Sequence, residues 1–167
     1  MICSPSPVIE QEHVIIQLVS ELAEAGKKVL LLDADLRQGR MFMHFNTTGG
    51  HGLSEKLINN DHSAITVSEN LDLISGNSYP DNPSEQLMNT RFQKLLDWGS
   101  SHYDVVLISV PSILNVTDGV VVGSRCATDL MIIQAGQTSV KDIEVANRRL
   151  QQAGVAINGT IFVKEQG

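Results

Sequence analysis

The sequence has few cysteines, an excess of acidic over basic residues, and no long apolar run. Its two cysteines, Cys3 and Cys126, lie far apart in the chain, which argues against a disulfide scaffold and against a cysteine metal site. No apolar run approaches the roughly 20 residues that span a membrane. The first residues also lack the pattern of a signal peptide. We therefore predict a soluble domain with cytosolic thiols.

The charge of the chain excludes a further class of partner. The sequence has 19 acidic and 12 basic residues, which give a net charge of −7 and a pI near 5.1. Such a field repels nucleic acid and anionic membrane surfaces, so no nucleic-acid partner is expected. The 42% of hydrophobic residues and 19% of charged residues are typical of a globular protein. The length predicts a single domain over residues 1–167.

Short apolar runs alternate with segments of helical spacing. The runs, rich in Val, Ile and Leu, predict strands buried on both faces at 29–36, 71–76, 103–110, 129–136 and 159–163. The intervening segments predict helices at 10–26, 52–60, 83–100, 116–125 and 138–154. This alternation predicts an α/β fold with a mostly parallel sheet flanked by helices on both faces. Ser139 and Asp142 resemble a capping box at the start of the last helix.

The topology predicts where a ligand would bind. In open α/β sheets, ligands lie beyond the carboxyl ends of the strands. The corresponding loops are 4–12, 33–40, 76–82, 109–117 and 135–139. The sharpest local signal in them is LLLDADLRQG, in which Asp33 and Asp35 leave the end of a buried strand with Arg37 just beyond. Two interpretations stay open: the carboxylates cap the loop, or they belong to a ligand site.

LLLDADLR resembles the second acidic motif of the bacterial tyrosine kinases that accompany polysaccharide co-polymerases. These kinases are a branch of the deviant P-loop ATPases, related to septum-positioning and partition ATPases. The similarity extends over nearly the whole chain, in the segments 52–58, 71–76, 82–98, 103–119 and 154–162. The resemblance implies a P-loop fold of the partition-ATPase type and ATP-dependent phosphorylation of a C-terminal tyrosine cluster, which regulates capsule or exopolysaccharide export.

The resemblance also implies partners and a location. The expected partner is a membrane polysaccharide co-polymerase or a membrane-anchored remainder of the same protein, and a homo-oligomer is compatible with such a family. The expected location is the cytoplasm, associated with the inner membrane. The two tyrosines of this chain, Tyr79 and Tyr103, do not form the family's cluster.

The phosphate-binding loop departs from the family's motif. Such a loop uses glycine to bring backbone N–H groups close to the phosphates, lysine to neutralise them, and Ser or Thr to ligate Mg²⁺. On alignment with the family, its Gly-Lys-Thr falls on Glu10, Gln11 and Glu12, while the Ser-Pro pairs at 4–7 remain. The loop loses one positive charge and gains two negative ones. Like charges ~4 Å apart repel by roughly 4 kcal/mol at an effective dielectric of ~20.

Two further family positions are replaced. The second catalytic strand normally ends in an aspartate that organises the metal, and here that position is Ser109; Pro111 and Asp118 remain in the loop that follows. The asparagine that reads adenine in the family corresponds to Val163. Phosphate, metal and base positions have therefore changed together, and we expect no bound cofactor and no metal.

Three hypotheses about function follow. The first is a catalytically degenerate tyrosine-kinase-like domain that serves as a regulatory or scaffolding module in exopolysaccharide or capsule biosynthesis. The second is an active tyrosine autokinase or ATPase that binds ATP and Mg²⁺ through an atypical site, with Asp33 and Asp35 as catalytic residues and Asp35 as a metal ligand. The third is a regulator of the partition-ATPase type.

An apolar cluster follows the acidic loop. It consists of Met41, Phe42, Met43 and Phe45. It is interpreted either as a hydrophobic flap packed on the sheet or as a contact surface for another subunit or a membrane protein.

Overall fold

The computed structural model describes residues 1–8, 10–48, 50–76 and 79–164, and they form one seven-stranded sheet. The strands are β1 (Ile2–Cys3), β2 (Val29–Asp33), β3 (Ile65–Ser68), β4 (Leu71–Ile74), β5 (Val105–Ser109), β6 (Leu130–Gln134) and β7 (Gly159–Val163). Their spatial order is β3-β4-β2-β5-β1-β6-β7. Every neighbouring pair is parallel except β3 and β4. The predicted mostly parallel sheet is confirmed, whereas the antiparallel edge strand β3 was not predicted.

Six α-helices and one 3₁₀ helix connect the strands within the described residues. They are α1 (Gln11–Glu24), the 3₁₀ helix Met41–Phe45, α2 (Leu53–Asn59), α3 (Pro83–Met88), α4 (Thr90–His102), α5 (Asp118–Gly123) and α6 (Val140–Gln152). The Ser139 hydroxyl accepts a hydrogen bond from the Asp142 N–H at 3.0 Å. This is the cap that the Ser-x-x-Asp pattern predicts for α6.

The single helix predicted over 83–100 is wrong, because the segment forms two helices. Asn89 lies between them with extended backbone (φ −63°, ψ 148°), and its side chain accepts a hydrogen bond from the Arg91 N–H at 2.9 Å. Asparagine competes for backbone donors in this way, so it favours a helix start over a helix interior. The apolar spacing continues across the break, which is why it predicted one helix.

Helices cover both faces of the sheet, as predicted. Along β2, Leu30 and Leu32 point to one face while Val29 and Leu31 point to the other, and all four are fully buried. The first face packs against α2 to α6. The second packs against α1, through residues four positions apart such as Ile15 and Val19, and against the 3₁₀ helix. Among the described residues, no helix is long and apolar enough to cross a membrane.

The apolar cluster after the acidic loop forms this 3₁₀ helix. Met41 is buried, and Phe42 and Phe45 pack partly against the second face. These contacts confirm the packed interpretation for three of the four side chains. Met43 is 62% exposed.

The strand order brings three chain segments together at one edge. β5 lies between β1 and β2, with Ser109 in register with both Ile2 and Asp33. The loops that leave the carboxyl ends of β1, β2 and β5 therefore converge, and this convergence places the candidate site.

Candidate functional site

A cleft of about 290 Å³ opens at the carboxyl ends of β1, β2 and β5. Its described lining residues come from the segments 4–12, 33–41 and 109–116. Three of the five predicted loops therefore form the cleft. The loop 135–139 contributes no lining residue, nor do the described parts of 76–82, of which residues 77 and 78 lie outside the described structure.

Asp33 is buried beneath the acidic loop. Its Oδ1 accepts a hydrogen bond from the Asp35 N–H at 3.1 Å, and its Oδ2 accepts one from the Met41 N–H at 3.4 Å. Burial raises the pKa of this carboxyl to about 7, and the charges of Asp35 and Glu12 add to the increase, while the two N–H donors oppose it. Asp33 is therefore partly protonated near neutral pH.

Asp35 lines the cleft and also shapes its own loop. Its Oδ1 accepts hydrogen bonds from the Arg37 N–H at 3.0 Å and the Gln38 N–H at 2.9 Å. The carboxylates of Asp33 and Asp35 thus both bind backbone donors of the segment that follows them. This geometry supports the loop-capping interpretation of the acidic motif.

The acidic loop packs against the chain that follows β4 more closely than a side chain would permit. A Cβ atom on Gly39 would lie 2.6 Å from the Asp35 carbonyl oxygen and 2.6 Å from the Gly76 Cα. These obstacles are backbone atoms, which cannot rotate away as a side chain could. Glycine at position 39 is therefore required by close backbone approach.

The replaced phosphate-loop positions make contacts within the protein. The Gln11 side-chain amide donates a hydrogen bond to the Val110 carbonyl oxygen at 2.9 Å. Glu12 lines the cleft, and its Oε2 lies 2.7 Å from the His44 Nε2. Gln11 and Glu12 therefore both lie in the lining of the cleft.

Glu10 lies outside the cleft lining. It precedes α1, and its Oε2 lies 3.4 Å from the Nδ1 of His13, three residues further along. The structure therefore separates Glu10 from Gln11 and Glu12, which both line the cleft.

Ser109 and Val163 differ in their relation to the cleft. Ser109 is 4% exposed, lines the cleft, and its carbonyl oxygen accepts a hydrogen bond from the Ala34 N–H at 2.8 Å. Val163 ends the edge strand β7, where its carbonyl oxygen binds the Ala135 N–H at 2.8 Å. Because β1 and β6 separate β7 from β5, Val163 lies outside this cleft.

Asp118 has a structural role at the cleft that the sequence alone did not assign. It is fully buried, and its Oδ2 accepts a hydrogen bond from Arg37 Nε at 3.2 Å. The Ser84 hydroxyl donates to its Oδ1. Asp118 thus joins the acidic loop to the starts of α3 and α5. Arg37 and Ser84 lie 81 and 34 residues from Asp118 in the sequence, so no local pattern could have predicted these contacts.

The cleft combines charges of both signs. Its described lining includes the carboxylates of Glu12, Asp33 and Asp35, the guanidinium groups of Arg37 and Arg40, and no lysine. The Ser4 hydroxyl, also in the lining, is buried without a hydrogen-bond partner. No group of three or more His, Cys, Asp or Glu side chains within the described chain is placed to hold a metal ion.

Comparison with known proteins places the chain in a family. No family model matches the sequence. The tyrosine-protein kinase Etk of Escherichia coli K12 is 36% identical over 166 residues, covering 97% of this chain and 23% of Etk. The tyrosine-protein kinase Wzc of Salmonella typhimurium is 37% identical over 166 residues, with 97% of this chain and 23% of Wzc covered. The chain thus spans about a quarter of the length of these relatives.

Solved structures agree with the sequence relatives. The kinase domain of Escherichia coli ETK superposes with a TM-score of 0.93 at 35% identity, covering 100% of this chain and 68% of that domain. The MinD cell division protein of Aquifex aeolicus has a TM-score of 0.76 at 19% identity, covering 96% of this chain and 66% of MinD, which shows a shared fold alone. The chain therefore belongs to the bacterial tyrosine-protein kinase family and has the fold of the P-loop ATPases.

Proposed function

We propose that this chain is a tyrosine-kinase-like domain with a degenerate nucleotide site, serving as a regulatory or scaffolding module in exopolysaccharide or capsule biosynthesis and export. The observation that carries the proposal is the hydrogen bond from the Gln11 amide to the Val110 carbonyl oxygen. Position 11 is the family's lysine position. Its side chain here is neutral and already bound to the protein.

The charges around position 11 also disfavour a triphosphate. Glu12 contributes a negative charge to the cleft, and a phosphate oxygen ~4 Å away would be repelled by up to roughly 4 kcal/mol. That figure is an upper bound, because the Glu12 side chain is 46% exposed and solvent screens it. Of the two arginines in the lining, Arg37 is paired with the buried Asp118.

The metal position gives a second argument. Mg²⁺ prefers carboxylate and water oxygens, and Ser109 offers a hydroxyl where the family has a carboxylate. Asp35 binds two backbone N–H groups through Oδ1, and Asp33 binds two through both of its oxygens. The residues present therefore do not fit a nucleotide with its magnesium ion, and we derive no step through either.

The biological context comes from the relatives. One of them, 36% identical over 171 residues, is named as a putative tyrosine-protein kinase in the cps region of Klebsiella pneumoniae. By analogy, we propose a capsule or exopolysaccharide system for this chain. Its partner would be a membrane polysaccharide co-polymerase or a membrane-anchored remainder of the same protein. The domain would lie at the cytoplasmic side of the inner membrane and would associate with further copies of itself as a homo-oligomer.

Calorimetric titration with ATP and Mg²⁺ tests the loss of the nucleotide site. We expect a Kd weaker than ~1 mM, the affinity at which only about 4 kcal/mol of binding free energy remains. A Kd tighter than ~100 μM would contradict the proposal. The matched control is a variant that combines Glu10→Gly, Gln11→Lys, Glu12→Thr and Ser109→Asp. On the same backbone, this variant should bind at least tenfold more tightly.

A second candidate function is an active tyrosine autokinase or ATPase. It is favoured by one observation: Asp33, Asp35 and Arg37 line the cleft together. Transfer of radiolabelled phosphate, abolished by Asp35→Asn, would support this candidate over the first. The third hypothesis, a partition-type regulator, rests on the shared fold alone.

A further inference from the structure

The polar groups at the mouth of the cleft are bound to one another across chain segments that are distant in sequence. The Gln11 side chain is hydrogen-bonded to the Val110 carbonyl oxygen, 99 residues away in the sequence. The Glu12 carboxylate is hydrogen-bonded to the His44 ring, 32 residues away. Both contacts start from the first turn of α1 and end on two different walls, the end of β5 and the 3₁₀ helix Met41–Phe45. The cleft walls are thereby joined through protein side chains.

A neighbouring contact extends the connection between α1 and the 3₁₀ helix. The rings of His13 and His44 meet edge to face, with centroids 5.4 Å apart. His44 is 29% exposed and Glu12 is 46% exposed, so their 2.7 Å contact is partly shielded from solvent. The 3₁₀ helix is also attached to the end of β2, because the Met41 N–H donates a hydrogen bond to the buried Asp33. Movement of this helix away from α1 would therefore break several contacts at once.

From these contacts we infer that Gln11 and Glu12 form an internal clasp that joins the walls of the cleft. Gln11 binds the backbone carbonyl of Val110, a residue that lines the cleft, and Glu12 binds His44 in the segment that follows the acidic loop. The two residues give the first turn of α1 a structural function. The inference goes beyond the loss of nucleotide binding, since a site can lose affinity without any residue joining its walls.

The clasp has a consequence for the role of the domain. The surface around the cleft keeps one shape, because its walls are joined by the protein's own side chains. A partner that docks near the cleft would therefore meet a constant surface.

Amide hydrogen exchange measured by NMR on the nucleotide-free chain tests the clasp. The readout is the exchange rate of the Met43 N–H, which donates to the Arg40 carbonyl oxygen inside the 3₁₀ helix. Glu12→Ala should raise this rate about two- to fivefold, the range expected for a partly exposed hydrogen bond of ~0.4–1 kcal/mol. Glu12→Gln, which keeps an oxygen acceptor for the His44 ring, should retain most of the protection.

The matched control is Glu24→Ala, which removes an exposed glutamate from the last turn of the same helix. It should leave the Met43 rate unchanged. A change in α1 stability alone would alter exchange within the helix but would not reach Met43. The amide of Leu31, in the centre of the sheet, reports global unfolding and is used to correct every rate for it.

A double variant completes the test. If Glu12 acts through His44, then Glu12→Ala combined with His44→Ala should accelerate Met43 exchange no more than His44→Ala alone. For the other arm, Gln11→Ala should accelerate exchange of the Val110 N–H, which bonds the Ile2 carbonyl oxygen on the far side of the Gln11 contact. Gln17→Ala, at an exposed position of the same helix, should not. Unchanged Met43 and Val110 rates in the clasp variants, or equal changes in the controls, would overturn the inference.

Discussion

Neutralising Asp33 should change how the stability of the domain depends on pH. The pKa of this carboxyl rises from 3.8 in the unfolded chain to about 7 in the fold because it is buried among the acidic loop and the sheet. Between these two values the folded protein retains a proton that the unfolded chain releases. Folding stability contributed by Asp33 is therefore complete below pH 3.8 and is lost progressively as the pH rises to about 7.

The expected magnitude follows from the same shift. A displacement of about three pKa units corresponds to about 4 kcal/mol over the whole interval. Between pH 5 and pH 8 the linkage relation gives a loss of about 2–3 kcal/mol. Asp33→Asn removes the titrating group and should remove this part of the pH dependence. The introduced side-chain amide would face the Met41 N–H, but that cost is independent of pH and does not affect the comparison.

Urea denaturation of both proteins at pH 5 and pH 8, followed by the fluorescence of Trp98, measures the effect. The difference in unfolding free energy between wild type and Asp33→Asn should shift by about 2–3 kcal/mol in favour of the variant at pH 8. Contributions from other groups are shared and cancel. Asp81→Asn, at an exposed position, is the control and should show no shift. A difference that stays constant between the two pH values would refute the protonated, buried state of Asp33.

Three further substitutions test contacts around the cleft and in the helices by the same denaturation assay. Asp118→Ala should cost about 1–3 kcal/mol, because it removes the buried carboxylate that accepts hydrogen bonds from Arg37 and from the Ser84 hydroxyl; a loss below ~0.5 kcal/mol would contradict this. Gly39→Ala should cost about 3 kcal/mol, since a Cβ would meet backbone atoms at 2.6 Å, and unchanged stability would show that the loop can shift. Asn89→Ala should cost about 1 kcal/mol as a lost cap, whereas Asn82→Ala, at a helix start without a side-chain cap bond, should cost less.

The sheet was predictable because its signal is local. A buried parallel strand appears as a run of Val, Ile and Leu, and β2 is buried at every position. The site loops followed from a topological rule, since ligands lie beyond the carboxyl ends of parallel strands. The edge strand β3 escaped prediction because its half-exposed Ile65–Ser68 lacks an apolar run. The helix break escaped because Asn89 acts through a side-chain cap that apolar spacing does not register.

The contacts that shape the cleft were less predictable. Arg37 with Asp118, and Glu12 with His44, join residues 81 and 32 positions apart. A single sequence carries no signal for such pairs, because each residue alone is an ordinary polar position on a loop or helix. The alignment with the family carried no information on the contact of Glu10 with His13 or on the separation of Val163 from the cleft by two strands.

The apolar packing of the fold does not involve the replaced family positions at the cleft. The sheet and α1 are held by fully buried apolar side chains such as Leu31, Ile15 and Val19, and none of these contacts depends on residues 10–12. Charged substitutions at the cleft can therefore accumulate while the backbone still superposes on a related kinase domain with a TM-score of 0.93. Close similarity of fold consequently supports membership of the family but not phosphoryl transfer. Variants of Gln11, Glu12 and Ser109 are therefore the ones that test the proposed loss of nucleotide binding.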